Sequence, residues 1–274
     1  MKTCRTGRAK GAALLAAGLA AGLLEAAPVA RDTAYQVAVS QLPGFYPGPW
    51  QLSGEYVLES LSGETQAFTF MFSRASKQGV ADADTPALAP TSFVARTRGR
   101  LKAEGRAVNG HAPELYGESA YASIVISADD SEPPVLRCFQ GLPAQVVKEE
   151  DALALVAKKG GAGSWRVSRR LMLGMFDEAF CLEDVSGAHG EQVADMRSGA
   201  VLPTSEALSR APRKQAAADD AERVSRCQAA WREAVAQSRK GAAAEPAGPV
   251  RAGRPGAAEA APAVPARRPA ADNK

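Results

Sequence analysis

The sequence predicts a mainly β fold, either an antiparallel β-sandwich or an α+β domain, followed by a C-terminal amphipathic helix and a disordered tail. Three observations carry that expectation. Between Tyr35 and Gly199, apolar and polar residues alternate in several short runs, the period of a half-buried strand. Gly-, Pro-, Asp- and Ser-rich turns separate those runs, as in an all-β or α+β chain. From Thr204 the composition shifts to Ala, Arg, Gln and Glu with helical spacing, and from Gly241 to Ala, Pro, Gly and Arg with almost nothing large and apolar. The expected organisation is residues 1–30, 35–199, 204–240 and 241–274.

The first stretch reads MKTCRTGRAKGAALLAAGLAAGLLEAAPVA. Lys2, Arg5, Arg8 and Lys10 precede an apolar run from Gly11 to Leu24, and small residues follow at 26–30. That is the layout of a secretory signal peptide, with a cleavage window at 26–30. The apolar run falls short of the ~20 residues that span a bilayer. The chain carries a formal charge of +3, and residues 1–30 hold four basic residues against Glu25 alone, so the remainder is near neutral. Global charge therefore gives no ground for nucleic-acid binding. Much of the 46% hydrophobic content is alanine, which leaves enough larger apolar residues for one ordinary core.

Within 35–199, "YQVAVS" reads as a short strand and the proline-rich "PGFYPGPW" as a rigid loop. "GEYVLESL" and "TQAFTFMFSR" form a hairpin across Ser62-Gly63-Glu64, with Phe68, Phe70 and Phe72 on one face of a core strand. "TSFVARTRGRLKAEGR" continues the alternation, and "ELYGESAYASIVIS" is the best strand of the chain. An acidic turn, Asp129 to Pro134, leads into the strand "VLRCFQ". Residues Glu149 to Lys159 place acids first and lysines last, which suits the helix macrodipole. "SWRVSRRLMLGMF" and "EAFCLEDV" return to strand or mixed character. In 204–240, Val224, Cys227, Trp231 and Val235 recur at three- and four-residue spacing, giving a helix with a narrow apolar face that docks on the β domain or on a partner.

Candidate sites follow from these elements. Arg96, Arg98, Arg100 and Lys102 share one side of the expected strand and form a stripe suited to an anionic partner such as a glycan phosphate or lipopolysaccharide; a solvated sheet face is the plainer alternative. Arg166, Arg169 and Arg170 form a second basic cluster. Cys138 and Cys181 are the favoured disulfide pair, with two unpaired buried thiols as the alternative. No GxSxG elbow, CxxC pair, phosphate cradle or dinucleotide fingerprint is present, so no catalytic residue, metal or cofactor is assigned. The acidic turns at Asp82/Asp84 and Asp129–Glu132 lack the spacing of a calcium loop. The sequence points to an exported, periplasmic or secreted, non-enzymatic binding or accessory protein of a bacterial cell envelope, with a protein partner there and without a membrane span in its mature form. An exported hydrolase working through two carboxylates, or a ligand-binding β-barrel, is the alternative.

Overall fold

The computed structural model describes residues 26–74, 89–106, 108–159, 163–173, 178–210 and 220–244. The proposed leader up to residue 25, the Asp82/Asp84 loop and the tail beyond 244 lie outside the described residues.

Eight strands form one open sheet in the order β4-β3-β2-β1-β5-β6-β7-β8. The strands β1 (Trp50–Glu59), β2 (Thr65–Arg74), β3 (Tyr121–Ser127) and β4 (Val135–Gln140) make one antiparallel meander. A second runs through β5 (Trp165–Met172), β6 (Glu178–Asp184), β7 (Gln192–Asp195) and β8 (Ala200–Pro203). The meanders meet where β1 and β5 pair in parallel, with a single registered residue pair, Glu59 and Leu171. The α+β alternative therefore holds. Among the described residues a sandwich and a closed barrel do not, since there β4 and β8 are the two edges of one sheet.

Helices cover both faces. The even-numbered Phe68, Phe70 and Phe72 of β2, with Ile124 and Ile126 of β3, pack under α1 (Arg31–Phe45) and α6 (Asp220–Ala244). The odd-numbered Met71 lies on the opposite face among side chains of α2 (Pro90–Ala103), a 3-10 turn at Pro113–Tyr116 and α3 (Ala144–Val147). On the second meander, α4 (Glu149–Lys159) covers Phe180, Leu182 and Ala194. Leu171, Cys181 and Val193, on the other face, meet Ala207 of α5 (Thr204–Arg210). Coverage on both sides explains why all seven residues of β3 are buried.

Two stretches that the alternation assigned to strands are helices. In α1 the buried residues are Ala34, Val37, Ala38 and Leu42, a helical stripe whose alanines let the helix lie close to the sheet. A strand would have put Val37 and Val39 on the same side; Val39 is instead 42% exposed. The helix continues through Pro43 to Phe45, into the stretch read as a rigid loop. In α2, Pro90 occupies the first turn and Arg100 and Lys102 the last, each favourable at its own end. Its buried residues Val94, Thr97, Arg98 and Leu101 again follow helical spacing. The hairpin β1–β2, strand β4 and the full span of α4 agree with expectation. The β-rich unit extends past its expected limits, because α1 begins at Arg31 and β8 ends at Pro203. The region expected to be one helix over 204–240 holds α5, then α6 from Asp220 to Ala244.

Candidate functional site

The expected cationic stripe does not exist as a stripe. On a helix, successive residues turn by about 100°, so Arg96, Arg98, Arg100 and Lys102 cannot share a face. Arg98 is buried at 4% exposure. It donates to the Val147 carbonyl at 2.7 Å and to Asp151 at 3.1 Å, with Glu150 at 3.5 Å. Arg98 thereby ties α2 to the junction of α3 and α4. Arg100 pairs with Glu104 one turn on, while Arg96 and Lys102 face solvent. With Arg98 turned inward, the four residues do not make the single cationic row on which the anionic-partner expectation rests.

The second basic cluster is also occupied, and consecutive residues serve opposite faces of the sheet. Arg169 binds Glu191 at 2.8 Å, lies 3.8 Å from Glu59, and reaches the Leu61 carbonyl and the Cys181 sulfur. Arg170 turns the other way. It pairs with Glu149, donates to the Gln145 carbonyl and sits 5.1 Å above the Tyr56 ring. Arg166 pairs with Glu183. Burial opposes ionisation of Glu191, but hydrogen bonds from Arg169, Ser168 and Thr204 outweigh it and hold the carboxyl below its ordinary range. Glu59 and Glu191 do converge on one guanidinium. Glu191 thus lacks the raised pKa that a general acid of a carboxylate pair needs, and Arg169 stabilises its charged form.

Cys138 and Cys181 do not form a disulfide. They occupy β4 and β6, with β3, β2, β1 and β5 between them; at about 4.8 Å per strand that is about 24 Å, against the ~7 Å limit between Cα atoms of bridged cysteines. Cys138, Cys181 and Cys227 are free. Their apolar sequence neighbours reflected burial in separate parts of the core. Burial pushes the Cys138 thiol up to about 12, and burial with the nearby Glu191 charge pushes Cys181 up to about 11. Both remain protonated at neutral pH and are poor nucleophiles.

The helix face expected to dock on the β domain or on a partner packs against α1 of its own chain. Trp231 and Ala234 are buried in the cluster that contains Ala34, Val37, Ala38 and Leu42, with Val235 packed at its margin. Cys227 and Ser238 are also buried, and Val224 is half-buried. The indole Nε1 of Trp231 donates to the Glu132 carbonyl at 3.0 Å, Arg223 pairs with Glu132, and Gln41 donates to Gln237. These contacts clamp α6 to the acidic turn after β3 and to α1.

Docking α6 in this way leaves a groove beside it. The groove has a volume of about 760 Å³ and runs between α6 and the extended segment Ala27–Ala30 that leads into α1. Val29, Trp231 and Val235 supply apolar lining; Asp130 and Gln228 stand at one end, and Arg232 and Arg239 line α6. The far wall is fixed by backbone pairing: Val29 donates to the Ala128 carbonyl, and Asp130 donates to the Ala27 carbonyl. Asp130 Oδ1 accepts from the Ala27 amide at 2.9 Å. The acidic turn considered for calcium is thus spent on the protein itself, with Asp129 also capping the Ser131 amide. Among the described residues no group of three or more His, Cys, Asp or Glu side chains is placed to hold a metal ion, and no helix is long and apolar enough to cross a membrane.

Sequence reasoning missed this groove because its two walls lie about two hundred residues apart. One signal was present: Gln228, Trp231, Val235 and Arg239 form a second helical row beside the buried one. What the structure defines is a solvent-open groove on a helix-covered mixed sheet. Comparison with family models, with curated proteins and with solved structures yields no match for this chain.

Proposed function

We propose that the chain is an exported accessory protein of a bacterial cell envelope, periplasmic or secreted, that binds a protein partner through the groove beside α6. The observation that carries the reading is the groove's composition. An apolar floor of Val29, Trp231 and Val235, flanked by Arg232 and Arg239, suits an apolar segment with acidic residues along one side. Its volume falls within the 300–1,000 Å³ range of ordinary binding sites. The groups best suited to chemistry, Arg169, Glu191 and Cys181, are engaged with one another instead. Export is supported by the basic, apolar and small-residue succession of the first 30 residues.

A photo-crosslinking residue placed at Ala236, exposed on the groove side of α6, tests the binding reading in cells of the native host. A discrete adduct formed there, absent from a control at the distant exposed Leu208 and lost with Val235→Arg, is the expected result. Equal adducts at both positions, or none at Ala236, would overturn it.

A further inference from the structure

We infer that the leader is cut between Ala26 and Ala27, and that the α-ammonium group so created is held by Asp130. The inference rests on the export reading and deepens it by naming one bond within the 26–30 window.

The folded chain discriminates among the bonds of that window. Ala27 exchanges two hydrogen bonds with Asp130: its amide donates to the carboxylate at 2.9 Å and its carbonyl accepts from the Asp130 amide at 3.1 Å. Pro28 bridges to Asp129. Val29 donates to the Ala128 carbonyl at 2.8 Å and packs against the core beneath α1. The Ala30 carbonyl accepts from the Ala34 amide, the first hydrogen bond of α1. Cutting after Ala27 discards the pair of bonds with Asp130, and cutting after Ala30 discards every one of these contacts. The later cut also leaves a new positive charge on Arg31 at the helix N-terminus, where the macrodipole disfavours it.

Cutting after Ala26 keeps all of them and strengthens one. A leader peptidase of the envelope adds water across the Ala26–Ala27 amide; Ala26 leaves with the carboxylate, and Ala27 keeps the amine, protonated at neutral pH. A neutral N–H facing Asp130 becomes a charged ammonium, and charge-assisted hydrogen bonds are the stronger kind. Gln228, which also reaches Asp130 Oδ1 at 3.4 Å, joins the new terminus to α6 at the end of the groove.

The test starts from the full-length chain expressed with its own leader, followed by intact mass and N-terminal sequencing of the exported fraction. A chain beginning at Ala27 is expected. A chain cut after any other residue overturns this inference and leaves export standing, whereas an uncut chain retained in the cytoplasm overturns the export reading itself. The ion pair has its own readout. Asp130→Asn should lower the Tm of the chain starting at Ala27 at least twofold more than it lowers the Tm of the same chain carrying a Gly-Ser extension before Ala27, in which the ammonium is displaced. Equal losses in the two backgrounds would overturn the pairing.

Discussion

Arg98 and Arg96 stand two positions apart in one basic run and have opposite roles. Arg98 is enclosed at 4% exposure, with its guanidinium on the Val147 carbonyl and the Asp151 carboxylate. Truncating it removes the buried guanidinium that the Val147 carbonyl and Asp151 share, so Arg98→Ala should cost about 3 kcal/mol in urea unfolding. Arg96→Ala, on the solvent side of the same helix, should stay within about 0.5 kcal/mol. Equal effects would restore the strand reading. Glu191 is one residue through which acid acts. Its pKa is lower in the folded chain than in the unfolded one, so its contribution is complete above the unfolded carboxylate value of about 4.3 and fades as pH falls through the folded value. Glu191→Gln should therefore cost about 1–2 kcal/mol at neutral pH and almost nothing near pH 2, read as the gap between wild-type and variant denaturation midpoints. The cysteines yield a third expectation. With Cys138, Cys181 and Cys227 free, a reductant should leave the Tm unchanged, and a fall in Tm on reduction would contradict the unpaired state of these thiols.

At the scale of elements, α6 is held by packing rather than by propensity. Trp231 fills the space between α6 and α1 and hydrogen-bonds the turn after β3. Trp231→Ala should cost about 3–5 kcal/mol and release the helix, seen as lost protection of the α6 amides. Arg232→Ala, exposed one residue on, should leave that protection intact. The helix itself was legible because its stripe of Val224, Cys227, Trp231 and Val235 has no competing period. So was α4, where Glu149–Asp151 and Lys158–Lys159 mark both ends. The errors fell on α1 and α2, and for one reason. Both are short amphipathic helices in which polar residues happen to alternate, so a period of two outweighed the 34/37/38/42 and 94/97/101 stripes. Pro90 was the start signal that favoured a helix in the second case. The groove was not legible at all, since it needs Ala27–Ala30, Asp130 and α6 to be brought together, and no local pattern encodes that meeting.

At the scale of the whole molecule, the sheet is two antiparallel meanders joined at one seam. Within each meander the strands share extended ladders, nine registered pairs between β1 and β2 and seven between β5 and β6. Across the seam β1 and β5 share one registered pair. Backbone hydrogen bonding is thus at its thinnest where the halves meet, and side chains from both faces supply the rest. Arg169 crosses the seam on one face to Glu59 and the Leu61 carbonyl. Arg170 crosses it on the other, to the ring of Tyr56 on β1, and is anchored to Glu149 at the start of α4. A β-strand places successive side chains on opposite faces, so two adjacent arginines suffice to fasten both sides. Removing both by Arg169→Ala and Arg170→Ala should weaken the seam selectively. Hydrogen exchange should then quicken at β1 and β5 by an order of magnitude or more, about 1.4 kcal/mol or above in opening free energy, while β3, buried along its whole length, keeps its protection until global unfolding. Uniform acceleration through all eight strands would show instead that the two halves open only as one unit, with the seam no weaker than the ladders on either side.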